Sequence, residues 1–248
     1  MAKVVFVTGS AKGIGAACIK KFALEGYDVV IHYRSSETSA RKLENWIKEN
    51  TNSKTLLLKS DIQNEEEVKK MVTKIIDAFG HIDVLVNNAA LEINSEFEEK
   101  NAQNFLNVLN TNLVGTFLVS KYVSKWMLEK KKGKIINITS NNAINQYDPS
   151  TLEYDASKAG MISLTHNLAL QLAPYINVNA VAPGWVMTEK VKELNDSLDG
   201  MLEQEESKHI LIQRFAYPEE VASLVYFLST EEARSINNQV ITIDGGTK

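Results

Sequence analysis

Tyr154 and Lys158 are the two residues whose types and spacing most directly allow chemistry. They are four positions apart at the start of an apolar-periodic segment, so a helix there places the ammonium beside the phenol on one face. An unperturbed phenol has a pKa near ~10, and a neighbouring positive charge lowers that pKa. The pair is then a usable proton donor or acceptor. The same spacing also occurs on solvated helix faces, so the rest of the chain must decide between the two interpretations.

A glycine-rich loop is the second chemical feature, and it follows a short β-branched strand predicted at residues 3–7. Glycines let the main chain approach a pyrophosphate, and the helix that begins near Gly13 directs its free N–H groups toward the phosphates. The spacing is G-x-x-x-G-x-G, so a plain tight turn is the alternative, but the position between a strand and a helix favours a phosphate cradle. The predicted cradle residues are Gly9, Ser10, Lys12, Gly13, Ile14 and Gly15.

The end of the second predicted strand, residues 29–33, bears on the type of dinucleotide. An acid at this place binds a ribose 2′-hydroxyl, whereas a base accommodates a 2′-phosphate. The chain has Arg34 and Ser35 here, and Asp28 lies at the wrong end of the strand. Together with Lys12, Arg34 can bind a phosphate dianion through charge-assisted hydrogen bonds. The sequence therefore favours NADP(H) over NAD(H), and the alternative is a solvated Arg34.

Strands and helices alternate along the rest of the chain, which predicts right-handed crossovers and a parallel sheet. Helices are predicted at residues 36–50, 65–79, 102–131 and 154–174, and further strands at 56–58, 84–86, 135–138 and 239–243. Polar residues follow several strands at the carboxyl edge, where ligands of such sheets bind. Asn112 lies inside the long helix predicted at residues 102–131, and a buried asparagine there indicates a bend or a function.

Composition limits the classes of protein that the chain can belong to. Its 248 residues, 44% of them hydrophobic, fit one α/β domain, and a net charge of −4 gives no electrostatic reason to expect nucleic acid. Cys18 is the only cysteine, so an intramolecular disulfide is impossible and a reducing compartment is expected. We find no apolar run that predicts a signal peptide or a membrane span, and we assign no metal ligand. A soluble, cytoplasmic protein without a membrane partner is expected.

The chain resembles the short-chain dehydrogenase/reductase family over essentially its whole length. The residues that carry the resemblance are the glycine motif together with Asp61, Asn87, Asn88, Ala89, Asn112, Ser140, Tyr154, Lys158, Pro183, Gly184 and Thr188. The resemblance implies one Rossmann-type domain spanning 1–248, with a doubly wound parallel sheet of about seven strands and helices on both faces. It also implies a substrate lid at about 184–214 and a homotetramer in which two long helices pack across a dimer axis.

The resemblance further implies a role for each site residue. Tyr154 is the acid or base, Ser140 hydrogen-bonds the substrate oxygen, Lys158 binds the nicotinamide ribose and lowers the tyrosine pKa, and Asn112 supports a water chain to that lysine. The expected cofactor contacts also include Asp61 and Ile62 at the adenine, Ile14 and Thr188 at the nicotinamide, and Asn88, Ala89, Pro183 and Gly184 along the cleft. For Asp61, Asn88 and Thr188, ordinary turn capping is the alternative.

The implied activity is NADP(H)-dependent hydride transfer between nicotinamide and a carbonyl or alcohol, with 3-oxoacyl-[acyl-carrier-protein] reductase as the nearest subfamily in appearance. Lys131 is one expected contact to an acidic carrier, but the second expected basic position falls near the uncharged Tyr175. Residues 141–147 are unusually polar, which favours a sugar or polyol dehydrogenase of the same family as the alternative. A non-enzymatic NADP-binding regulatory protein is a remoter alternative, because such proteins typically lose the tyrosine or the lysine.

Overall fold

Seven parallel strands form the centre of the fold, in the order β3-β2-β1-β4-β5-β6-β7. The structure is a computed structural model, and it describes residues 2–247. The strands are β1 (Val4–Val7), β2 (Asp28–Tyr33), β3 (Thr55–Lys59), β4 (Val84–Asn87), β5 (Gly133–Ile138), β6 (Ile176–Pro183) and β7 (Val240–Ile243). Because the strand order reverses between β1 and β4, the crevice at their carboxyl ends is where this architecture binds ligands. The predicted Rossmann-type sheet is confirmed.

Helices cover both faces of the sheet. They are α1 (Gly13–Leu24), α2 (Glu37–Asn50), α3 (Glu65–Phe79), α4 (Ala102–Leu109), α5 (Thr116–Glu129), α6 (Leu152–Leu172), α7 (Glu189–Ser197), α8 (Met201–Glu206) and α9 (Pro218–Ser229). The apolar sides of α1, α2 and α9 form one core layer, and those of α3, α5 and α6 form the other. Among the residues described, no helix combines the length and the apolarity that crossing a bilayer would require.

Strand β1 shows how the sequence pattern places the sheet between these two layers. Val5 and Val7 pack into the layer of α1, whereas Val4 and Phe6 pack into the layer of α3. Successive side chains of a strand point to opposite faces, so a strand covered on both sides needs a continuous apolar run. All four residues are fully buried. This firmly buried strand fixes the position of the glycine loop that follows it.

The helix predicted at residues 102–131 differs from the structure. Residues 102–131 were predicted as one helix, but α4 and α5 are separated by a π-helical segment, Asn110–Gly115. The wider π turn lets a side chain reach out of the regular helical path, and such turns are frequent at functional sites. Asn112 lies in this segment and is fully buried. The regular α-helix is therefore interrupted at the position where the sequence indicated a bend or a function.

Candidate active site

The glycine loop folds tightly against the end of β4. Gly9 has a φ of +61°, and a Cβ there would lie 2.8 Å from Cα of Ala89. A Cβ at Gly15 would lie 2.5 Å from Nδ2 of Asn88. Both positions therefore require glycine, one for its left-handed conformation and both for the close approach. The turn presents the first residues of α1 to the crevice between β1 and β4, which is the arrangement that binds a pyrophosphate.

Thr8 and Asn88 join the loop to the neighbouring strand end. The Thr8 hydroxyl accepts hydrogen bonds from the main-chain N–H groups of Asn88 and Ala89, both at 3.0 Å. In return the Asn88 amide donates to the main-chain oxygens of Thr8 and Gly9, at 3.0 and 3.1 Å. Asn88 therefore shapes the crevice through bonds to residues 79 and 80 positions away, which is not local turn capping, and its contact with a cofactor stays a prediction.

His32 is a site-shaping residue that the sequence analysis missed. Its Nδ1 accepts the Gly9 N–H at 2.9 Å, and its Nε2 faces the main-chain oxygen and the hydroxyl of Ser60 at 3.1 Å. With Nδ1 as an acceptor, the neutral ring carries its proton on Nε2. Burial lowers the pKa of His32 to about 4. The Ser10 hydroxyl is also fully buried, and it accepts the main-chain N–H of His32 at 3.0 Å. Ser10 therefore shapes the loop and does not line the crevice.

Two adjoining cavities at this edge collect most of the predicted site residues. The first is lined by Gly9, Lys12, Arg34, Ser35, Asp61, Ile62, Asn88 and Ala89. The second is lined by Ile14, Asn88, Ser140, Tyr154, Lys158, Pro183, Gly184 and Thr188. Ser10, Gly15 and Asn112 line neither cavity and are buried. Gly13 also lines neither cavity, but it is partly exposed and donates its N–H to Glu189. The two cavities share Asn88 and Ala90, and the Tyr–Lys pair lies in the second.

Arg34 and Lys12 give the first cavity its positive charge. An Nη of Arg34 lies 3.8 Å from Oδ2 of Asp61, and both side chains are substantially exposed, so this ion pair is weak. Oδ1 of Asp61 accepts the Gln63 N–H at 3.0 Å, which is the turn-capping role considered for this residue. Arg34 therefore remains available to a phosphate group that enters the cavity, and the donor set fits a dinucleotide.

Strand β5 and helix α6 position the residues that face the second cavity. Ser140 follows the end of β5, and Nζ of Lys158 donates to the main-chain oxygen of Ile138 at 2.7 Å. The Thr139 hydroxyl donates to the main-chain oxygen of Lys158 at 2.9 Å. Nζ of Lys158 lies 5.3 Å from the centroid of the Tyr154 ring, so the predicted helical neighbours do share a face. A hydroxyl, a phenol and an ammonium thus converge on one place.

The pKa of Tyr154 is shifted in the direction opposite to the one that the sequence predicted. Burial raises the pKa of Tyr154, the Glu92 carboxylate adds to the rise, and a hydrogen bond with Ser140 opposes it. Burial also lowers the pKa of Lys158 to about 7. The expected lowering of the tyrosine pKa is therefore wrong for these surroundings, because burial is the largest cause of the pKa shift in both groups. Tyr154 holds its proton near neutral pH.

Asn112 acts as a bridge behind Tyr154 and Lys158. Its Oδ1 accepts the Leu91 N–H at 2.7 Å, while its Nδ2 donates to the main-chain oxygen of Leu91 and to the Ser157 hydroxyl, both at 2.9 Å. The Ser157 hydroxyl in turn donates to the main-chain oxygen of Tyr154 at 2.6 Å. Asn112 thereby links the loop after β4 to the first turns of α6. The water chain expected from the resemblance stays a prediction.

The first turn of α7 touches both halves of the cleft. Thr188 caps this helix by accepting the Val191 N–H at 3.3 Å. The Glu189 carboxylate accepts the Gly13 N–H at 3.1 Å, on the cradle side. Nζ of Lys190 donates to the Glu92 carboxylate at 3.2 Å, on the side of the second cavity. The predicted lid segment thus begins with residues that contact opposite walls.

Comparison with known proteins agrees with this site. The family model described as Enoyl-(Acyl carrier protein) reductase matches residues 9–248. A 3-oxoacyl-[acyl-carrier-protein] reductase of Synechocystis sp. is 36% identical over 247 residues, covering 99% of this chain and 96% of the relative.

Two solved structures share the fold over nearly all of both chains. That of ElxO with NADP bound has a TM-score of 0.92 at 32% identity, covering 99% of this chain and 98% of the other. That of acetoin dehydrogenase YohF from Salmonella typhimurium has a TM-score of 0.87 at 31% identity, covering 99% and 97%. The fold and site define an oxidoreductase built on a dinucleotide-binding domain. The chain belongs to the short-chain dehydrogenase/reductase family.

Proposed function

We propose that the protein catalyses NADP(H)-dependent reduction of a carbonyl to an alcohol, most directly a 3-oxoacyl thioester, and the reverse oxidation. The observation that carries the proposal is the convergence of Ser140, Tyr154 and Lys158 in a cavity that adjoins the one lined by the glycine loop. The names of the curated relatives support the thioester as substrate. The structure of an NADP complex in the same fold supports the cofactor.

Each residue of this group has a distinct chemical task. The bound cofactor supplies the hydride that the carbonyl carbon accepts. The Ser140 hydroxyl holds the carbonyl oxygen, and Tyr154 gives that oxygen the phenolic proton that its raised pKa keeps in place. Lys158 lies close enough to stabilise the resulting phenolate electrostatically. The Asn112 bridge is a positioning element for the helix turn that carries Tyr154.

The preference for NADP(H) rests on the charges of the first cavity. Lys12 and Arg34 provide two positive side chains against the one carboxylate of Asp61. A ribose 2′-phosphate carries nearly two negative charges. It therefore gains more binding free energy from Lys12 and Arg34 than a 2′-hydroxyl does. The Ser35 hydroxyl lies on the same wall and can add a hydrogen bond.

The proposed carrier contact at Lys131 has a geometric consequence. Lys131 precedes β5, so it lies at the amino edge of the sheet, opposite the cavities, and its ammonium packs over the Tyr175 ring at 5.7 Å. A six-residue strand separates the two edges by roughly 20 Å. A carrier protein bound at Lys131 would therefore serve the site of a neighbouring subunit. This arrangement is compatible with the proposed homotetramer, and a cytoplasmic location stays part of the same proposal.

A polar carbonyl compound, such as a sugar or a polyol oxidation product, is the second proposal. Much of the polar loop after Ser140 is already bonded internally: Asn141 donates to Gln146 at 2.7 Å, and Asn142 donates to Asp155 at 3.0 Å. These amides are therefore a weaker argument for a sugar than the sequence indicated. The Glu92–Lys190 pair at the rim still favours a polar substrate.

A substrate panel tests both proposals. Wild-type protein and the Tyr154→Phe variant are assayed with a short 3-oxoacyl thioester, small hydroxyketones, sugars and polyols, following the absorbance of NADPH. We expect the thioester to give the highest kcat/KM, with turnover lost in the variant. Highest efficiency with a hydroxylated substrate would favour the second proposal. Absence of any Tyr154-dependent turnover would contradict both.

A further inference from the structure

Two segments without regular strand or α-helix structure form part of the lining of the second cavity. The first wall segment, residues 90–95, contributes Glu92 and Asn94, and the second wall segment, residues 146–151, contributes Asp148 and Thr151. The second segment leads directly into α6 and Tyr154. Because no sheet hydrogen bonds hold these segments, their positions depend on what else binds them.

Lys100 binds both wall segments at once. Its ammonium donates to the main-chain oxygen of Ser150 at 2.9 Å, to Oε2 of Glu153 at 2.7 Å and to the Ser95 hydroxyl at 3.4 Å. The Ser95 N–H also donates to the Ser150 oxygen at 3.2 Å. An ammonium has three donors, so every one of them is engaged. Lys100 thus ties the first wall segment, the second wall segment and the first turn of α6 together.

Burial makes this ion pair unusual. The side chains of Lys100 and Glu153 are only 9% and 1% exposed, and Oε1 of Glu153 has no hydrogen-bond partner among the described residues. Removing two charges from water is costly, and apolar residues of similar size are often as stabilising as a buried ion pair. Global stability is therefore a weak explanation for keeping charges here, one residue before Tyr154.

We propose that Lys100, through its buried ion pair with Glu153, is a positioning residue that holds the substrate walls at a fixed distance from Tyr154. The proposal rests on the proposed carbonyl reduction. Asn112 holds the first wall segment at Leu91, and Asp155 holds the second at Asp148 and Thr151. Lys100 joins the two segments to each other at Ser95 and Ser150. Without the ion pair this junction loosens, and the substrate carbonyl is held less well against Ser140 and Tyr154. The glycine loop is positioned by Thr8, Asn88 and His32 instead, so cofactor binding does not depend on Lys100.

The decisive variant is Lys100→Met/Glu153→Met, which removes both charges and leaves side chains of similar length. We expect near wild-type resistance to urea, a Kd for NADPH within about twofold of wild type, and a loss in kcat/KM between about tenfold and a hundredfold. Lys100→Arg keeps a cation at this place and should recover most of the activity. Lys132→Met/Glu231→Met, which removes an ion pair whose two side chains are both exposed, is the matched surface control and should behave as wild type.

Amide hydrogen exchange of residues 91–101 and 146–153 gives a readout that does not require turnover. Faster exchange of both segments in the double methionine variant, and not in the surface control, supports the proposal. Unchanged exchange, or wild-type kcat/KM in a folded double variant, overturns it. If the double variant fails to fold, Glu153→Gln is examined in its place, with the same two outcomes. If the wild-type protein reduces no carbonyl, the proposed function fails, and the exchange result still decides whether Lys100 holds the walls.

Discussion

Acidification should destabilise the protein through His32 in a defined pH window. The ring is buried and neutral, with a pKa lowered from 6.5 to about 4 by burial. The unfolded chain therefore binds a proton between these values that the folded chain does not bind. By linkage, the stability that the neutral ring contributes is present above pH 6.5 and is lost as the pH falls through about 4. At about 1.4 kcal/mol per pH unit, the loss is roughly 3 kcal/mol.

The substitution His32→Gln isolates this contribution. A glutamine can accept the Gly9 N–H and donate to the Ser60 oxygen, but it does not titrate. The free energy of unfolding is measured by urea titration of both proteins at several pH values from 7 to 4, at one protein concentration. We expect the wild type to lose roughly 3 kcal/mol more than the variant over this range. His209→Gln, which removes an exposed imidazole, should follow the wild-type curve.

The ion pair between Arg214 and Glu220 is also sensitive to acid, but in a lower pH range. The Arg214 guanidinium lowers the pKa of Glu220 from 4.5 to about 2, so its contribution is lost at lower pH than that of His32. Parallel curves for the wild type and His32→Gln between pH 7 and 4 would refute the reasoning, because they would show that His32 binds protons equally in the folded and unfolded chain.

Three further predictions concern the cleft. Tyr154→Phe should abolish turnover in steady-state assays and leave the Kd for NADPH nearly unchanged, and near wild-type turnover would exclude Tyr154 as the proton donor. Arg34→Asp should raise the KM for NADPH about tenfold to a hundredfold and leave or lower that for NADH, whereas an equal response to both cofactors would mean that Arg34 is merely solvated. Glu189→Gln should lower the Kd for NADPH about threefold or more, measured by nucleotide fluorescence, because the carboxylate competes with phosphate for the Gly13 N–H; Glu193→Gln on the same helix is the control, and equal affinities would contradict the competition.

Local signals explain which parts of the fold the sequence could predict. Helix α3 was predicted at residues 65–79 and has those bounds. Asn64 caps its start by accepting the N–H groups of Glu66 and Glu67, and Gly80 ends it with a φ of 77°. All of these residues are neighbours in sequence, so the pattern alone contained the information. The same holds for β1, whose continuous apolar run is buried on both faces.

Parts of the site depend on contacts between residues far apart in the chain, and these could not be predicted. The π-helical segment is held by Asn112 bonds to Leu91 and Ser157, which lie 21 and 45 positions away. His32 resembles an ordinary residue of a buried strand until Gly9, 23 positions away, is seen to donate to its ring. Lys100 and Glu153 are 53 positions apart. Sequence spacing predicted the residues that are proposed to do the chemistry, but not the residues that hold them in place.

The Tyr–Lys pair shows why spacing alone gave the wrong sign for a pKa. The i, i+4 spacing correctly placed the ammonium beside the phenol, and attraction between the charged forms would lower the tyrosine pKa. Spacing carries no information about desolvation, which depends on the whole pocket and which here disfavours both charged forms. A phenol that keeps its proton is ready to donate it to a carbonyl oxygen, whereas oxidation of an alcohol needs that proton removed first. The surroundings of Tyr154 therefore keep the phenol in the protonated form from which the proposed carbonyl reduction starts.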